Sequence, residues 1–121
     1  MKKILIAEDD KFLASAYKLK LTKAGFEVLI GANGNEIMDL LKTFLPDLIL
    51  LDLVMPIKDG FTTLAEIRAI NTFNKIPVLV ASNLGQKEDI DKAIKLGANG
   101  FVVKSDMSLD DLILKINEMI K

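Results

Sequence analysis

Acidic residues stand directly after two apolar runs of this 121-residue chain. The run Leu48–Leu51 leads into Asp52, and the run Ile4–Ala7 leads into the acidic triplet Glu8–Asp10. If both runs are buried strands of one parallel sheet, their acids emerge at the same edge. Carboxylates held close together repel one another unless a cation binds between them. The pattern therefore predicts an acidic cluster with cation-dependent chemistry.

The composition excludes several classes of enzyme site. The chain contains no histidine, which rules out Ser-His-Asp and Cys-His nucleophile systems and histidine-based zinc sites. It contains no cysteine, which excludes disulfides, thiol catalysis and cysteine metal sites. Hydrophobic residues make up 50% of the sequence and charged residues 27%, a balance typical of globular proteins. We expect one domain over residues 1–121.

Charge and hydropathy indicate where the protein acts. The formal net charge is −1, which gives no support to nucleic-acid binding, because nucleic-acid-binding domains usually carry a basic excess. The apolar stretch after Met1-Lys2-Lys3 is too short for a signal peptide, since the acids at 8–10 interrupt it. No apolar run approaches membrane-spanning length. We therefore expect a cytoplasmic protein with neither nucleic-acid nor membrane partners.

The sequence predicts a strand followed by a helix five times over, and these elements would position the acids. The predicted strands are Lys2–Ala7, Phe26–Ala32, Asp47–Leu53, Val78–Ser82 and Gly100–Lys104. The predicted helices end at Gly25, at Pro46, at about Ile70 and at Gly97, and the last runs from a cap at Ser108 to the C-terminus. Such alternation indicates a parallel sheet with right-handed crossovers and helices on both faces. Sites in these sheets lie beyond the carboxyl ends of the strands.

Polar side chains fall at the carboxyl ends of four predicted strands. They are Glu8 and Asp9 on the first strand, Asp52 on the third, Ser82 on the fourth and Lys104 on the fifth. Three carboxylates and one ammonium leave a net charge of about −2, and like charges near 4 Å repel by about 4 kcal/mol per pair at a protein surface. A hard divalent cation relieves this repulsion. Mg²⁺ suits a site with few carboxylates, because it keeps several waters and accepts phosphoryl oxygens.

In this order, these residues resemble the receiver domain of two-component response regulators. The resemblance covers essentially the whole chain. It includes Glu8-Asp9, Asp52 followed by Met55-Pro56 and Gly60, Ser82 five positions after Pro77, and Phe101 three positions before Lys104. Each feature alone is weak, but together at matching strand ends they are highly specific. The resemblance implies an α/β, flavodoxin-like (βα)5 fold with a five-stranded parallel sheet in the order 2-1-3-4-5.

The resemblance also implies a phosphorylation chemistry. Asp52 would be the phosphoacceptor, and the donor would be a phosphohistidine on a sensor histidine kinase or phosphotransfer protein. Mg²⁺ would be bound by Asp9, by Asp52 and by the backbone carbonyl of Val54, with Glu8 acting largely through water. The domain would be a signalling switch rather than an enzyme, catalysing its own phosphotransfer and slow dephosphorylation.

Three further residues would stabilise the phosphoryl group, and two residues would change conformation in response to it. The hydroxyl of Ser82, the backbone N–H of Asn83 and the ammonium of Lys104 would stabilise the phosphoryl oxygens. Ser82 would then move toward the phosphoryl group and Phe101 would turn inward. This would alter the face of the fourth helix, fifth strand and fifth helix, where a downstream protein or a second copy would bind. Phe101 is equally well explained as a core aromatic.

Some positions depart from the family pattern or have simpler explanations. Ser105 replaces the proline that usually follows the lysine, so a trans or rearranged loop is expected after Lys104. Asn83 stands where a smaller residue is usual, and Val54 cannot orient an attacking water by hydrogen bonding. We therefore hypothesise a long-lived phosphorylated state. Asp10 is interpreted as a helix cap and Asp59 as a turn residue.

Other functions fit the residues less well. A haloacid-dehalogenase-like phosphohydrolase needs a second aspartate two positions after the nucleophile, where this chain has Val54. A flavodoxin-like electron carrier needs a hydroxyl- and glycine-rich loop after the first strand, where the acids would repel the flavin phosphate. A degenerate receiver acting as a phosphorylation-independent interaction module stays open because of Ser105 and Asn83.

With its last helix expected to stop near Lys121, the chain is either a single-domain regulator or one domain of a longer protein.

Overall fold

The computed structural model describes residues 1–120, in which five strands alternate with five helices. The strands are β1 (Lys3–Ala7), β2 (Glu27–Gly31), β3 (Leu48–Leu51), β4 (Val78–Ser82) and β5 (Gly100–Val103). The helices are α1 (Lys11–Lys23), α2 (Gly34–Leu41), α3 (Gly60–Ala69), α4 (Lys87–Lys95) and α5 (Leu109–Met119). A short 3-10 helix, Lys104–Asp106, connects β5 to α5.

All five strands form one parallel sheet in the order β2-β1-β3-β4-β5, which confirms the predicted topology. The strand order reverses at β1, because β2 lies on one side of β1 and β3 on the other. Ala7 pairs with Leu51 in register, and the N–H of Asp52 donates to the carbonyl of Ala7 at 3.0 Å. The residues that follow β1 and β3 are therefore neighbours at the carboxyl edge of the sheet.

The sheet separates two apolar layers. Alternate residues of β1 point to opposite faces, so Ile4 and Ile6 pack with α1 and α5, whereas Leu5 and Ala7 pack with α2, α3 and α4. Both faces of β3 are fully buried, as expected for a central parallel strand. This rigid double layer holds the strand ends in a constant relation to one another.

Several predicted element boundaries were wrong by a few residues. Asp47 precedes β3, and its carboxylate accepts a hydrogen bond from the N–H of Lys3 at 2.7 Å. Lys104 begins the 3-10 helix instead of ending β5. The second helix ends at Leu41, before the predicted stop at Pro46, although the side chain of Phe44 still packs into the core. The predicted C-terminal end of the last helix, Lys121, lies outside the described residues.

Side-chain caps define where most helices begin. Asp10 accepts hydrogen bonds from the N–H groups of Phe12 and Leu13, and Ser108 accepts one from Asp111, so both predicted caps are confirmed. Asp59 accepts from the N–H of Thr62 at 2.8 Å and is therefore the cap of α3, a more specific role than the predicted turn residue. These local bonds fix the first turns of α1, α3 and α5.

Candidate functional site

Three carboxylates meet at the carboxyl edge of β1 and β3. One oxygen from each of Glu8, Asp9 and Asp52 lies within 4.8 Å of the other two. Glu8 and Asp52 are buried, whereas Asp9 is exposed. Glu8 continues the alternation of Ile4 and Ile6, so its carboxylate emerges on the face of the sheet that α1 and α5 cover. The structure thus brings together the acids that the sequence placed at separate strand ends.

Lys104, the first residue after β5, approaches these acids. Its ammonium forms a salt bridge with Glu8 and a second one with Asp52, at 3.2 Å from Nζ to Oδ2. The Lys104 side chain is only 12% exposed, so both bridges lie in a partly dehydrated site. Charges removed from water in this way need mutual pairing to be tolerated. Lys104 therefore neutralises part of the acidic cluster in the structure.

Burial and neighbouring charges shift the pKa values of Glu8 and Lys104. Burial raises the pKa of the Glu8 carboxyl, the charge of Asp52 adds to the rise, and the hydrogen bond from Lys104 opposes it without cancelling it. Burial alone would lower the pKa of Lys104. The hydrogen bond to Glu8 and the charge of Asp52 outweigh that effect, so the pKa of Lys104 is raised.

An open cleft of about 390 Å³ gives access to the cluster. Besides the three acids and Lys104, its walls include Val54, Ser82 and Asn83, so every residue predicted for metal binding or phosphoryl stabilisation lines one cleft. The N–H of Val54 donates to Oδ1 of Asp52 at 3.3 Å, which helps to orient this carboxylate. The structure thus places these residues together, while the role predicted for each of them stays a prediction.

Ser82 and Phe101 lie on the other face of the sheet from Lys104. Ser82 is fully buried, and its oxygen accepts a hydrogen bond from the N–H of Leu84 at 3.2 Å. Among residues 1–120 the Ser82 hydroxyl donates to no acceptor. Phe101 is half-buried, pairs with Val80 in register and packs against the apolar layer under α2, α3 and α4. Its packing agrees with a core aromatic and leaves the switching role a prediction.

Two residues at the cleft were missed by the sequence analysis. Leu84 supplies the N–H that holds the Ser82 oxygen, and Leu13 contributes an apolar wall from the first turn of α1. Neither leucine differs in type from the many core leucines of the chain. The only available signal was distance along the sequence, since Leu84 is two positions after Ser82 and Leu13 is four after Asp9.

The loop after Lys104 has no cis peptide bond, in agreement with the expectation for Ser105, and the same holds throughout residues 1–120. In place of a proline-directed turn, Lys104–Asp106 form the 3-10 helix, whose closing hydrogen bond joins the N–H of Met107 to the carbonyl of Lys104 at 3.5 Å. No helix of the described chain is both long and apolar enough to cross a membrane.

Comparison with known proteins identifies the family. The family model described as the response regulator receiver domain matches residues 4–117. The chain belongs to this family. It is 39% identical to the chemotaxis protein CheY of Bacillus subtilis over 103 residues, which cover 84% of each chain. Receiver domains are the signalling switches of two-component systems, and they interact with histidine kinases or phosphotransfer proteins.

Solved structures agree with the assignment of this receiver domain. The receiver domain of Francisella response regulator 1452 is 31% identical, with a TM-score of 0.90, and the match covers 99% of this chain and 97% of that one. The phosphorylated cyanobacterial phytochrome response regulator RcpA is 34% identical, with a TM-score of 0.84, and the match covers 98% of this chain and 90% of that one. Fold and sequence therefore lead to the same family.

The donor set of the receiver fits a hard divalent cation. Glu8, Asp9 and Asp52 offer oxygen ligands only, and no nitrogen or sulfur ligand is available in a chain without histidine and cysteine. Three carboxylates are too few to enclose an ion, which leaves room for water or a phosphoryl oxygen. An acidic pocket that could bind a metal is thus part of this fold.

Proposed function

We propose that Asp52 accepts a phosphoryl group from a phosphohistidine on a sensor kinase or phosphotransfer protein in the cytoplasm. The observation that supports this most directly is the position of the Asp52 carboxylate. It lies at the floor of an open cleft, between two further acids and the ammonium of Lys104. A carboxylate in this position is accessible to a phosphoryl donor and surrounded by groups that can offset the charge of the donor.

The transfer itself is a substitution at phosphorus. A carboxylate oxygen of Asp52 forms a bond to phosphorus while the bond from phosphorus to the imidazole nitrogen breaks. The electron pair of the broken bond stays on that nitrogen, and because the other ring nitrogen of the phosphohistidine carries a proton, the histidine of the donor leaves as a neutral imidazole. The product is an aspartyl phosphate. Asp52 acts as an unprotonated nucleophile, so the chain needs no general base for this step.

Lys104 is expected to change partners during this reaction. In the structure its ammonium bridges Glu8 and Asp52, but the oxygens of a phosphoryl group on Asp52 would carry more charge than the carboxylate they replace. The Ser82 hydroxyl, which has no acceptor among the described residues, could donate to a second phosphoryl oxygen. The N–H of Asn83 is proposed as the third donor, because Asn83 lines the same cleft.

Mg²⁺ is the cofactor we propose for the acidic side of the cleft. Asp9, Asp52 and the Val54 carbonyl would hold it, with Glu8 acting largely through water. When bound, the ion supplies charge neutralisation for the transferred phosphoryl oxygens. The clustering of three carboxylates around a single ammonium supports this, since it leaves a net negative charge that a divalent cation would offset.

The proposed output of phosphorylation is a change in the surface formed by α4, β5 and α5. Movement of Ser82 toward the phosphoryl group would open space on the face of the sheet where Phe101 packs. Ile94 on α4 and Leu114 on α5 are large apolar residues that are exposed in the structure. Exposed apolar residues on these helices suit a downstream protein or a second copy of the chain.

Intact mass spectrometry tests the phosphoacceptor directly. The receiver is incubated with Mg²⁺ and acetyl phosphate beside Asp52→Asn and, as a matched control, Asp39→Asn, which changes an exposed aspartate on α2. We expect the parent and Asp39→Asn to gain one phosphoryl group and Asp52→Asn to gain none. Equal labelling of Asp52→Asn would contradict the assignment of the acceptor.

Thermal melting with and without Mg²⁺ distinguishes a phosphorylatable receiver from a degenerate one. Mg²⁺ is expected to raise the melting temperature of the parent, because it binds the folded cluster and not the dispersed acids of the unfolded chain. A receiver with neither Mg²⁺ stabilisation nor phosphorylation would instead be a degenerate receiver that works through protein contacts alone.

A further inference from the structure

A cavity of about 170 Å³ lies between the sheet and the two helices that cover this face, α1 and α5. Ala81 of β4 and Val102 of β5 form its floor, and its walls come mainly from leucines of the two helices. The space remains open because Ala81 contributes only a methyl group on a strand that is otherwise tightly buried. The cavity is distinct from the acidic cleft, but Leu13 and Lys104 border both.

The cavity reaches the surface beside the β5–α5 loop, residues 104–108. Met107 and Leu109 line it and are partly exposed. Ala81 and Leu112, on its inner side, are buried. The loop is loosely bonded here, since the N–H of Met107 donates to the carbonyl of Lys104 at the long distance of 3.5 Å. A methionine side chain also has three rotatable bonds and adapts to different neighbours. A small molecule therefore has a path into the cavity.

One nearly buried hydroxyl at the cavity has no hydrogen-bond partner among residues 1–120. It belongs to Tyr17, which lines the cavity and is only 5% exposed. Within the same residues, every fully enclosed side-chain oxygen and nitrogen has a partner, so the Tyr17 hydroxyl is not enclosed and faces the open space. Burial raises the pKa of Tyr17, which keeps the hydroxyl protonated and able to donate. A ligand oxygen would supply the missing acceptor.

Size and polarity favour a small organic ligand over water. An engineered apolar cavity of roughly 150 Å³ in another protein binds benzene. A buried water needs about two to four polar partners. Apart from Tyr17, the lining side chains offer only the ammonium of Lys104 and the hydroxyl of Ser108. Both are engaged, Lys104 with the acids and Ser108 with the N–H of Asp111. One aromatic ring with one oxygen therefore suits the cavity better than a group of waters.

The cavity also borders the cation of the acceptor site. The Lys104 side chain lines the cavity, and its ammonium bridges Glu8 and Asp52. A ligand that packs against this side chain and the loop beside it favours the bridged arrangement. Phosphorylation of Asp52 is expected to draw the ammonium away from Glu8. Occupation of the cavity and phosphorylation therefore oppose each other.

We infer that the cavity between α1 and α5 binds a small neutral molecule with one aromatic ring and one hydrogen-bonding oxygen, and that its occupation opposes phosphorylation of Asp52. The ring lies among the apolar side chains, and the oxygen accepts a hydrogen bond from the Tyr17 hydroxyl. The regulatory part of this inference rests on the proposed function, whereas the binding part does not. The two parts are tested by separate measurements.

Two-dimensional NMR of the full chain, titrated with phenol and with toluene, tests the binding part. The two probes have the same size, but only phenol carries an oxygen. Both are expected to shift signals of residues that line the cavity. In Tyr17→Phe, the ratio of the phenol affinity to the toluene affinity should fall about fivefold, as for the loss of one hydrogen bond. In Ala81→Val, both affinities should fall at least about tenfold, because the added methyl carbons occupy the cavity.

The melting temperature shows whether each variant is folded. Ala81→Val should melt no lower than the parent, since valine suits a buried strand and fills empty space. As a control, Leu114→Asn changes an exposed leucine of α5 and should bind both probes like the parent. An unchanged affinity ratio in Tyr17→Phe, or shifts confined to residues elsewhere, would overturn the site. The site would also be overturned if neither probe bound and water signals were found at Tyr17.

Acetyl phosphate labelling in the presence of Mg²⁺ tests the regulatory part. At saturating phenol, the steady ratio of phosphorylated to unphosphorylated parent should fall about fivefold, and phosphorylation should weaken phenol binding by the same factor. Ala81→Val should be labelled equally with and without phenol, which controls for effects of phenol elsewhere. Equal labelling of the parent in both conditions would overturn the regulation. A parent that is never labelled would overturn the proposed function, while the titration alone decides whether the cavity is a binding site.

Discussion

The loops on either side of the cleft are built differently. The β3–α3 loop, residues 52–59, is held at several points: the N–H of Gly60 donates to the carbonyl of Leu53 at 3.0 Å, and the N–H of Gly34 donates to that of Lys58 at 3.2 Å. Lys58 also forms a salt bridge with Glu66, at 2.6 Å. In the β5–α5 loop, residues 104–108, the N–H of Met107 donates to the carbonyl of Lys104 at the longer distance of 3.5 Å, and the carbonyl of Ser108 accepts from the N–H of Leu112 at 3.0 Å, where α5 begins.

The packing below the two loops differs in the same way. Gly60 lies so close to Asp52 and Leu53 that no side chain fits between them. The β5–α5 loop instead borders a cavity of about 170 Å³, whose lining is mainly apolar and comes from α1, β4, β5, α5 and the loop itself. The proposed acceptor Asp52 thus belongs to a braced loop, whereas the ammonium of Lys104 is held mainly by its ion pairs. This difference suits a stationary nucleophile and a cation that exchanges partners.

The largest expected effect tests the braced loop. In Gly60→Ala, the new methyl carbon would lie 2.2 Å from the carbonyl oxygen of Asp52 and 2.7 Å from Cα of Leu53. Because both neighbours are backbone atoms, the loop has to move, at a cost of about 3 kcal/mol, the upper end for overpacking. Urea unfolding measures the loss, and acetyl phosphate labelling should also slow because Asp52 is displaced.

Gly85→Ala is the matched control for that substitution. A methyl carbon at Gly85 would lie 3.3 Å from a side-chain methyl of Val103, which can move aside. We expect a change in unfolding free energy below about 1 kcal/mol. Equal effects at the two glycines would show that the β3–α3 loop is no more rigid than its surroundings.

The next largest effect concerns the cation. Lys104→Gln removes the partner of Glu8 and Asp52 and is expected to lower the free energy of unfolding by about 2 kcal/mol in Mg²⁺-free buffer. This is below the cost for a fully enclosed pair, because the cleft opens to solvent. Mg²⁺ should therefore raise the melting temperature of Lys104→Gln more than that of the parent.

The double variant Glu8→Gln with Lys104→Gln serves as the control for this prediction. With one carboxylate and the ammonium both neutral, the like-charge repulsion with Asp52 decreases, and most of the lost stability should return. A double variant whose loss of stability equals the sum of the losses in Glu8→Gln and Lys104→Gln would show that Glu8 and Lys104 are not energetically coupled.

A smaller effect compares the caps that follow the two loops. Asp59→Ala and Ser108→Ala each remove the side-chain acceptor at the start of a helix, and each should cost about 1 kcal/mol. Their effects on chemistry should differ. Asp59→Ala loosens the loop that holds Asp52 and slows acetyl phosphate labelling, whereas Ser108→Ala leaves labelling near the parental rate. Equal labelling rates in both variants would contradict the division of tasks between the loops.

The smallest expected effect is on the lifetime of the phosphorylated state. Val54→Asn places a hydrogen-bonding side chain at the cleft, where it can orient an attacking water. Dephosphorylation should accelerate by roughly threefold, which corresponds to less than about 1 kcal/mol of barrier. Loss of phosphate from the labelled protein over time measures it, with Asn83→Ala as a second variant. Unchanged rates in both would contradict the long-lived state predicted from these two positions.

Much of the fold was readable from local pattern. The five strands were recognised from short apolar runs and the caps at Asp10 and Ser108 from residue type, because strand burial and helix capping depend on neighbours in sequence. The errors arose where tertiary contacts compete with local pattern. The apolar neighbours of Lys104 predict that it continues the last strand. In the structure it lies outside the sheet, because it forms ion pairs with the acids and begins the turn into α5.

The sequence by itself determined which chemical groups stand at the strand ends: acids after two strands, a serine and a lysine after two others, and no histidine or cysteine. These are properties of residue type and spacing, so they need no coordinates. Only the tertiary structure decided that Lys104 bridges Glu8 and Asp52, 96 positions from the former, and that Ile57 adopts a positive φ in the loop after β3. Contacts of this kind depend on strand order and loop geometry, which bring together residues that are far apart in the sequence and share no local pattern.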